Sequence, residues 1–209
     1  MWLPDIRHSF LLLQWQFIVI DVVYESMMKQ DYSQHFNIFA RIDWQQVQSF
    51  HFADSFDPDW LLEQGSLSRL FSKQCHQLTA HLVNQRILPA KSLTDFQCSM
   101  LFARGAVIEE CLLREVVLAA DDIPWLLGST LIPRSSLSDE QFDLTSQGEV
   151  PLGLTVFQAD QVARDGLHLG KIDCELGNLA ARSSRLWMNQ KPMLVAELFL
   201  PPSPIYRKD

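Results

Sequence analysis

The sequence predicts an α+β fold built on a single antiparallel sheet with flanking helices. Three observations predict it. A helix-turn-helix signature occupies residues 57–71, six runs of strand character follow it, and two of the connections between neighbouring runs, at Asp121–Pro124 and Asn189–Pro192, are short enough to be hairpin turns. With 209 residues, 47% of them hydrophobic and 20% charged, the chain has material for one full core and needs no disulfide staples.

Taken in chain order, the first feature is the apolar stretch Phe10 to Ile20 (FLLLQWQFIVI). Gln14 and Gln16 interrupt it and Asp21 stops it, so it is too short to span a membrane. Asp5 offsets Arg7 in front and no small-x-small cleavage site follows, so it does not read as a signal peptide. It is expected to be an extra strand or helix packed on the domain, or an over-extended translation if the natural start lies at Met27 or Met28. Residues 1–45 are accordingly expected to form an N-terminal extension and residues 46–209 the main domain.

At residue 57 the local signals sharpen. Asp57 suits an N-cap, Pro58 the first helical position and Asp59 the positive end of the dipole, which starts a helix carrying Trp60, Leu61 and Leu62. Gly65 ends it, and Ser66 caps a second short helix through Leu67, Leu70 and Phe71. Strands are expected at Thr79–Leu88, Glu109–Ala120, Trp125–Pro133, Gln161–Ile172, Ser184–Asn189 and Met193–Leu200. Asp121-Asp122-Ile123-Pro124 and Asn189-Gln190-Lys191-Pro192 read as hairpin turns. A further helix is expected from Ser138-Asp139-Glu140 through Phe142 and Leu144, whereas Leu88 to Val107 reads as a loop.

Composition narrows function by exclusion. A formal net charge of −8 has the wrong sign for holding phosphate backbones by counterion release, so nucleic acid is not expected as a partner. Cys75, Cys98, Cys111 and Cys174 are widely spaced with no C-x-x-C pair, which fits reduced thiols in the cytoplasm. Cys75, His76 and His81 lack a fourth ligand, so no metal is assigned. The eight glycines form no G-x-G, and neither a Walker A loop, a G-x-S-x-G elbow nor H-E-x-x-H occurs. What remains is chemistry by ordinary side chains in a pocket.

Two charges stand where charges are costly. In Met193-Leu-Val-Ala-Glu197-Leu-Phe-Leu200 both faces of the strand are apolar except at Glu197. A carboxylate buried there needs a cation, a hydrogen-bonding ligand or a proton. In Cys111-Leu-Leu-Arg114-Glu115-Val-Val-Leu118, Arg114 shares a face with Leu112, Val116 and Leu118, and Glu115 falls on the other face. The bland account is a buried ion pair between Arg114 and Glu197; the functional one is a binding site.

At these strands the sequence resembles the chorismate pyruvate-lyase family. The resemblance rests on Arg114 to Trp125, Gly128 to Pro133, Pro151-Leu-Gly153, Ala181-Arg-Ser-Ser-Arg-Leu186, Lys191 to Pro201 and Ser203-Pro-Ile-Tyr206, and it runs from about Pro58 to Tyr206. The resemblance implies a six-stranded antiparallel sheet, a buried site under helix-turn-helix flaps, and a cofactor-free elimination of pyruvate from chorismate giving 4-hydroxybenzoate for ubiquinone biosynthesis. It places the substrate arginine on Arg114, the catalytic glutamate on Glu197, and two backbone contacts on Leu67 and Leu152. Leu67 stands where the family has methionine, a departure of small consequence for a main-chain contact. The N-terminal extension before residue 40 and the loop around Cys98 to Val107 also depart from the family.

The expected enzyme is a monomer that handles chorismate and 4-hydroxybenzoate, with no stable membrane insertion. Arg182 and Arg185 are candidates for the second carboxylate of chorismate, although arginines beside a hairpin are expected to be solvated. Two competing readings are a small-acid sensor of the same fold, as in the effector domains of some transcription regulators, and a degenerate lyase that holds product only. Having both Arg114 and Glu197 fits catalysis better than sensing, and no basic DNA-binding segment precedes residue 57.

Overall fold

The structure is a computed structural model that describes residues 32–137 and 162–206. The apolar N-terminal stretch, the helix expected after Ser138 and the Pro151-Leu152-Gly153 turn lie outside the described residues. From Tyr32 onward the chain forms one unit. Its elements are a 3-10 helix over Tyr32–Arg41, β1 (Gln45–Gln46), α1 (Pro58–Leu62), α2 (Leu67–Phe71), β2 (Leu78–Leu88), α3 (Asp95–Leu101), β3 (Cys111–Ala120), β4 (Ile123–Pro133), α4 (Arg134–Leu137), β5 (Val162–Cys174), β6 (Gly177–Met188) and β7 (Lys191–Phe199).

The strands form one antiparallel sheet in the order β1-β5-β6-β7-β4-β3-β2. It consists of two three-stranded meanders, β2-β3-β4 and β5-β6-β7, joined where β4 pairs with β7, with the two-residue β1 added at the β5 edge. Both expected hairpin turns are present. Asp121 and Asp122 have φ of 48° and 66°, and Asn189 and Gln190 have 50° and 63°. Two successive left-handed residues give the turn whose twist matches that of the flanking strands, and Asp and Asn tolerate that conformation best. Asp121 fixes the first turn further, accepting from the backbone N–H groups of His76 and Gln77 at 2.9 and 2.7 Å.

Three expectations need correction. The sheet has seven strands and not six, because Gln45 and Gln46 pair with Leu169 and His168 at the β5 edge. Two glutamines carry no alternation of polarity, so the sequence offers no strand signal there. β6 begins at Gly177, seven residues before the expected Ser184, because its first half is a short-side-chain stretch whose apolar run is broken by Arg182. The segment expected as a loop contains α3, started by a capping box. Thr94 Oγ1 accepts from Gln97 N, and the Gln97 side chain accepts from Thr94 N.

The two sheet faces are covered differently. On one, α1 and α2 pack Trp60, Leu61, Leu67 and Phe71 against Leu118, Leu126, Ala180 and Phe199. On the other, the 3-10 helix over Tyr32–Arg41 lays Phe36 and Ile38 on Val117, Leu127, Ala181 and Leu198, while α3 sets Met100 and Leu101 on Leu113, Leu131 and Leu194. Tyr206 fastens the C-terminal segment to the sheet, accepting from Ala180 N at 3.1 Å and donating to Phe199 O at 2.7 Å. Burial pushes its phenol up, so it is fully protonated at neutral pH.

Candidate active site

Cross-strand register assembles the site on the face that carries α1 and α2. Val116, Gly128, Glu197 and Arg182 stand in one row across β3, β4, β7 and β6, and Arg114, Thr130, Val195 and Ser184 stand in the next. Between this floor and α2 lies a cavity of about 570 Å³, mouth included, with Leu67 and Ser68 above and Ala80, Leu118, Leu126 and Leu186 as apolar walls. Gly128 keeps the floor low. A Cβ there would stand 3.1 Å from Val116 Cγ2, tighter than ordinary packing.

Both sequence-predicted side chains line this cavity. Arg114 is 1% exposed, and burial pushes its guanidinium below the usual arginine range. Glu197 is 9% exposed. The bland account of these two charges is corrected by the geometry. The cation that pairs with Glu197 is Arg182, whose Nε donates to Oε2 at 2.6 Å. Arg114 and Glu197 are therefore two separate charged points on one cavity wall. Glu115, on the opposite face, is 9% exposed and is held by Asn84 Nδ2 at 2.8 Å with Arg86 at 4.0 Å.

The expectation that Arg182 is solvated is also overturned, since it is 0% exposed. The reason is the flap. A five-residue helix such as α1 leaves its last carbonyls without intrahelical partners, and a guanidinium satisfies them while matching the negative end of the dipole. Arg182 Nη1 donates to Glu63 O at 2.7 Å and Trp60 O at 3.4 Å, so one side chain ties the end of α1 to Glu197. Arg185 faces the other way. It holds Asp165 through Nε at 2.7 Å and Nη2 at 2.8 Å, and reaches Met100 O at 3.0 Å.

Sequence reasoning missed Arg164. It lines the cavity, donates through Nε to Gln64 O at 3.2 Å and through Nη2 to Gly65 O at 3.4 Å, and its Nη1 bonds Ser184 Oγ. Burial pushes it down to about 10, with Glu197 pulling it back up and Arg182 adding to the fall. In Val-Ala-Arg164-Asp-Gly nothing distinguishes it from a surface residue, and only the fold brings it to the flap. Leu67 occupies the first position of α2 after the Ser66 cap, where an N–H has no intrahelical acceptor, and it lines the cavity. Leu152 lies outside the described residues.

The arrangement can do three things. Arg114 can hold a carboxylate through a planar fork, Glu197 can handle a proton or a hydroxyl, and the apolar walls strengthen both by excluding water. Among the described residues, no group of three or more His, Cys, Asp or Glu side chains is placed to hold a metal, and no helix is long and apolar enough to cross a membrane.

The chorismate lyase family model matches residues 38–209. A probable chorismate pyruvate-lyase of Vibrio parahaemolyticus is 49% identical over 182 residues, covering 87% of this chain and 99% of that protein. One from Vibrio cholerae is likewise 49% identical over 182 residues with the same coverage. Among solved structures, the effector domain of PhnF from Mycobacterium smegmatis matches at a TM-score of 0.47 and 16% identity, over 68% of this chain and 91% of that one, which is too distant to bear on function. On the family model and on relatives of this identity and coverage, the chain belongs to the chorismate lyase family.

Proposed function

We propose that this chain is a chorismate pyruvate-lyase, a lyase that eliminates pyruvate from chorismate to give 4-hydroxybenzoate without a cofactor, and that its reaction takes place in the cavity between α2 and the sheet. The observation that carries the reading is the presence of Arg114 and Glu197 on one buried wall of that cavity, in a chain 49% identical to a probable chorismate pyruvate-lyase of Vibrio parahaemolyticus over 99% of that protein. Arg114 binds the ring carboxylate, and the N–H groups of Leu67 and Leu152 add hydrogen bonds without adding charge. Glu197 lies toward the hydroxyl end of the ring.

The electron balance is that of a simple elimination. The ring carbon bearing the hydroxyl gives up a proton, its C–H pair becomes the ring double bond, and the C–O pair of the ether leaves on enolpyruvate, which takes a proton and becomes pyruvate. Aromatisation supplies the driving force. What the protein supplies is orientation and proton handling, and Glu197 is the group placed for the latter. Its Oε2 is held by Arg182, and its Oε1 has no hydrogen bond among the described residues, so one oxygen is anchored while the other can address the substrate.

The same reading takes residues 46–209 as the catalytic unit and residues 1–45 as an extension, of which the part from Tyr32 packs into the same unit and the last residue belongs to β1. The family match beginning at residue 38 supports a boundary in that neighbourhood. It takes the enzyme as cytoplasmic and monomeric, and it assigns no nucleic-acid partner, a last point that the net charge of −8 supports. The test is to incubate purified protein with chorismate and follow both products. Equal amounts of pyruvate and 4-hydroxybenzoate are expected. Pyruvate at the uncatalysed rate overturns the reading.

A further inference from the structure

Chorismate carries two carboxylates, and the assignments above receive only one. Arg164 leaves β5 opposite Leu186 and lines the same cavity as Arg114 and Glu197. The strand order sets the three residues in sequence across the sheet: Arg114 on β3, Glu197 on β7 two strands away, and Arg164 on β5 two strands beyond. Each step is roughly 10 Å between backbones, a span that inward-reaching side chains shorten. The substrate has its groups in the same order. The ring carboxylate lies at one end, the hydroxyl and ether lie across the ring, and the enolpyruvyl carboxylate extends past the ether oxygen.

Charge points the same way. The ionisable groups among the described lining residues are Arg114, Arg164 and Glu197, and Glu197 is already paired with Arg182. Two guanidiniums on the wall of one cavity match a dianion, whereas the monoanionic product matches only one of them. Arg182 is not among the described lining residues, and Arg185 faces Asp165 on the other side.

We infer, on the reading that this chain is a lyase acting on chorismate, that Arg164 binds the enolpyruvyl carboxylate and so distinguishes substrate from product. When the ether bond breaks, enolpyruvate takes that carboxylate with it, and 4-hydroxybenzoate keeps the contact to Arg114 alone. Because Arg164 also donates to Gln64 O and Gly65 O, the substrate carboxylate and the flap turn meet at one guanidinium.

The experiment compares Arg164→Met, Arg164→Lys and Arg114→Met with wild type for chorismate KM and for 4-hydroxybenzoate Kd. Arg164→Met is expected to raise the chorismate KM about ten- to hundredfold and to leave product Kd within about twofold. Arg164→Lys should give a smaller rise, because it keeps the charge and loses the fork. Arg114→Met should weaken both ligands. An unchanged chorismate KM in the Arg164 variants overturns the inference. So does a loss of product affinity in step with substrate, which marks Arg164 as a support for the flap only. If Arg164→Met does not fold, Arg164→Lys is judged by the same two readings. Failure of the wild type to convert chorismate sinks the lyase reading instead, and Arg164 is then judged by chorismate Kd.

Discussion

Arg182 and Arg185 stand three residues apart on β6 and face opposite sides of the sheet. Arg182 is fully buried, pairs with Glu197 and holds the end of α1. Arg185 pairs with Asp165, whose side chain is 47% exposed, and lies 4.8 Å over the Trp187 ring. The same side chain braces the glutamate of the proposed site on one face and is a surface clamp on the other. What separates them is the cover. The α1–α2 flap leaves a cavity over the sheet and brings unsatisfied carbonyls to its edge, whereas the side toward α3 leaves Asp165 open to water.

The hardest blow to this contrast is Arg182→Met. It strands a buried carboxylate and frees the flap carbonyls, and should cost about 3–5 kcal/mol in urea unfolding, with loss of turnover. Adding Glu197→Leu to it should recover much of that stability and none of the activity, since an apolar pair can replace a buried ion pair in the fold but not in the chemistry. A stability loss within about 0.5 kcal/mol for the single variant would show that the pair does not compensate a buried charge.

A charge buried on the opposite face sharpens the comparison. Asn84→Ala removes the 2.8 Å donor from Glu115 and should cost about 1–3 kcal/mol while chorismate turnover stays near wild type. A fall in turnover matching that of Arg182→Met would mean that the two faces are coupled.

The smallest effect is expected for Arg185→Met, about 1 kcal/mol or less at neutral pH because Asp165 is half exposed. Its pH dependence has a definite sign. The Arg185 hydrogen bond holds the Asp165 carboxyl below its ordinary range. Stability from the pair is therefore present above the ordinary carboxylate pKa and is lost as pH falls through the lowered native value. Denaturation midpoints of wild type and Arg185→Met should differ at neutral pH and converge in acid; a difference that grows in acid would contradict the assignment.

How much of this was legible in the sequence follows from where the signals lie. Caps and turns are local, so Asp57-Pro58, Ser66, Asp121-Asp122 and Asn189-Gln190 announced the flap and two hairpins. Thr94 and Gln97 carried an equally local signal for α3, which the surrounding polar residues obscured. Alternation identified Arg114 and Glu197 as costly charges, because each interrupts an apolar face. Partner choice was not legible. Glu197 pairs with Arg182 through the β6–β7 register, and Arg164 reaches the cavity from a strand whose sequence looks like surface. Both depend on contacts between residues distant in the chain, and no local pattern encodes them.

The central claim is that Glu197 performs chemistry while Arg114 holds the ligand. Its most direct test is pyruvate release from chorismate by wild type and Glu197→Gln, measured beside 4-hydroxybenzoate affinity. Wild type is expected to release pyruvate and 4-hydroxybenzoate in equal amounts. Glu197→Gln should lose about two to four orders of magnitude in turnover and keep most of its product affinity. Wild-type turnover in the variant would contradict the account.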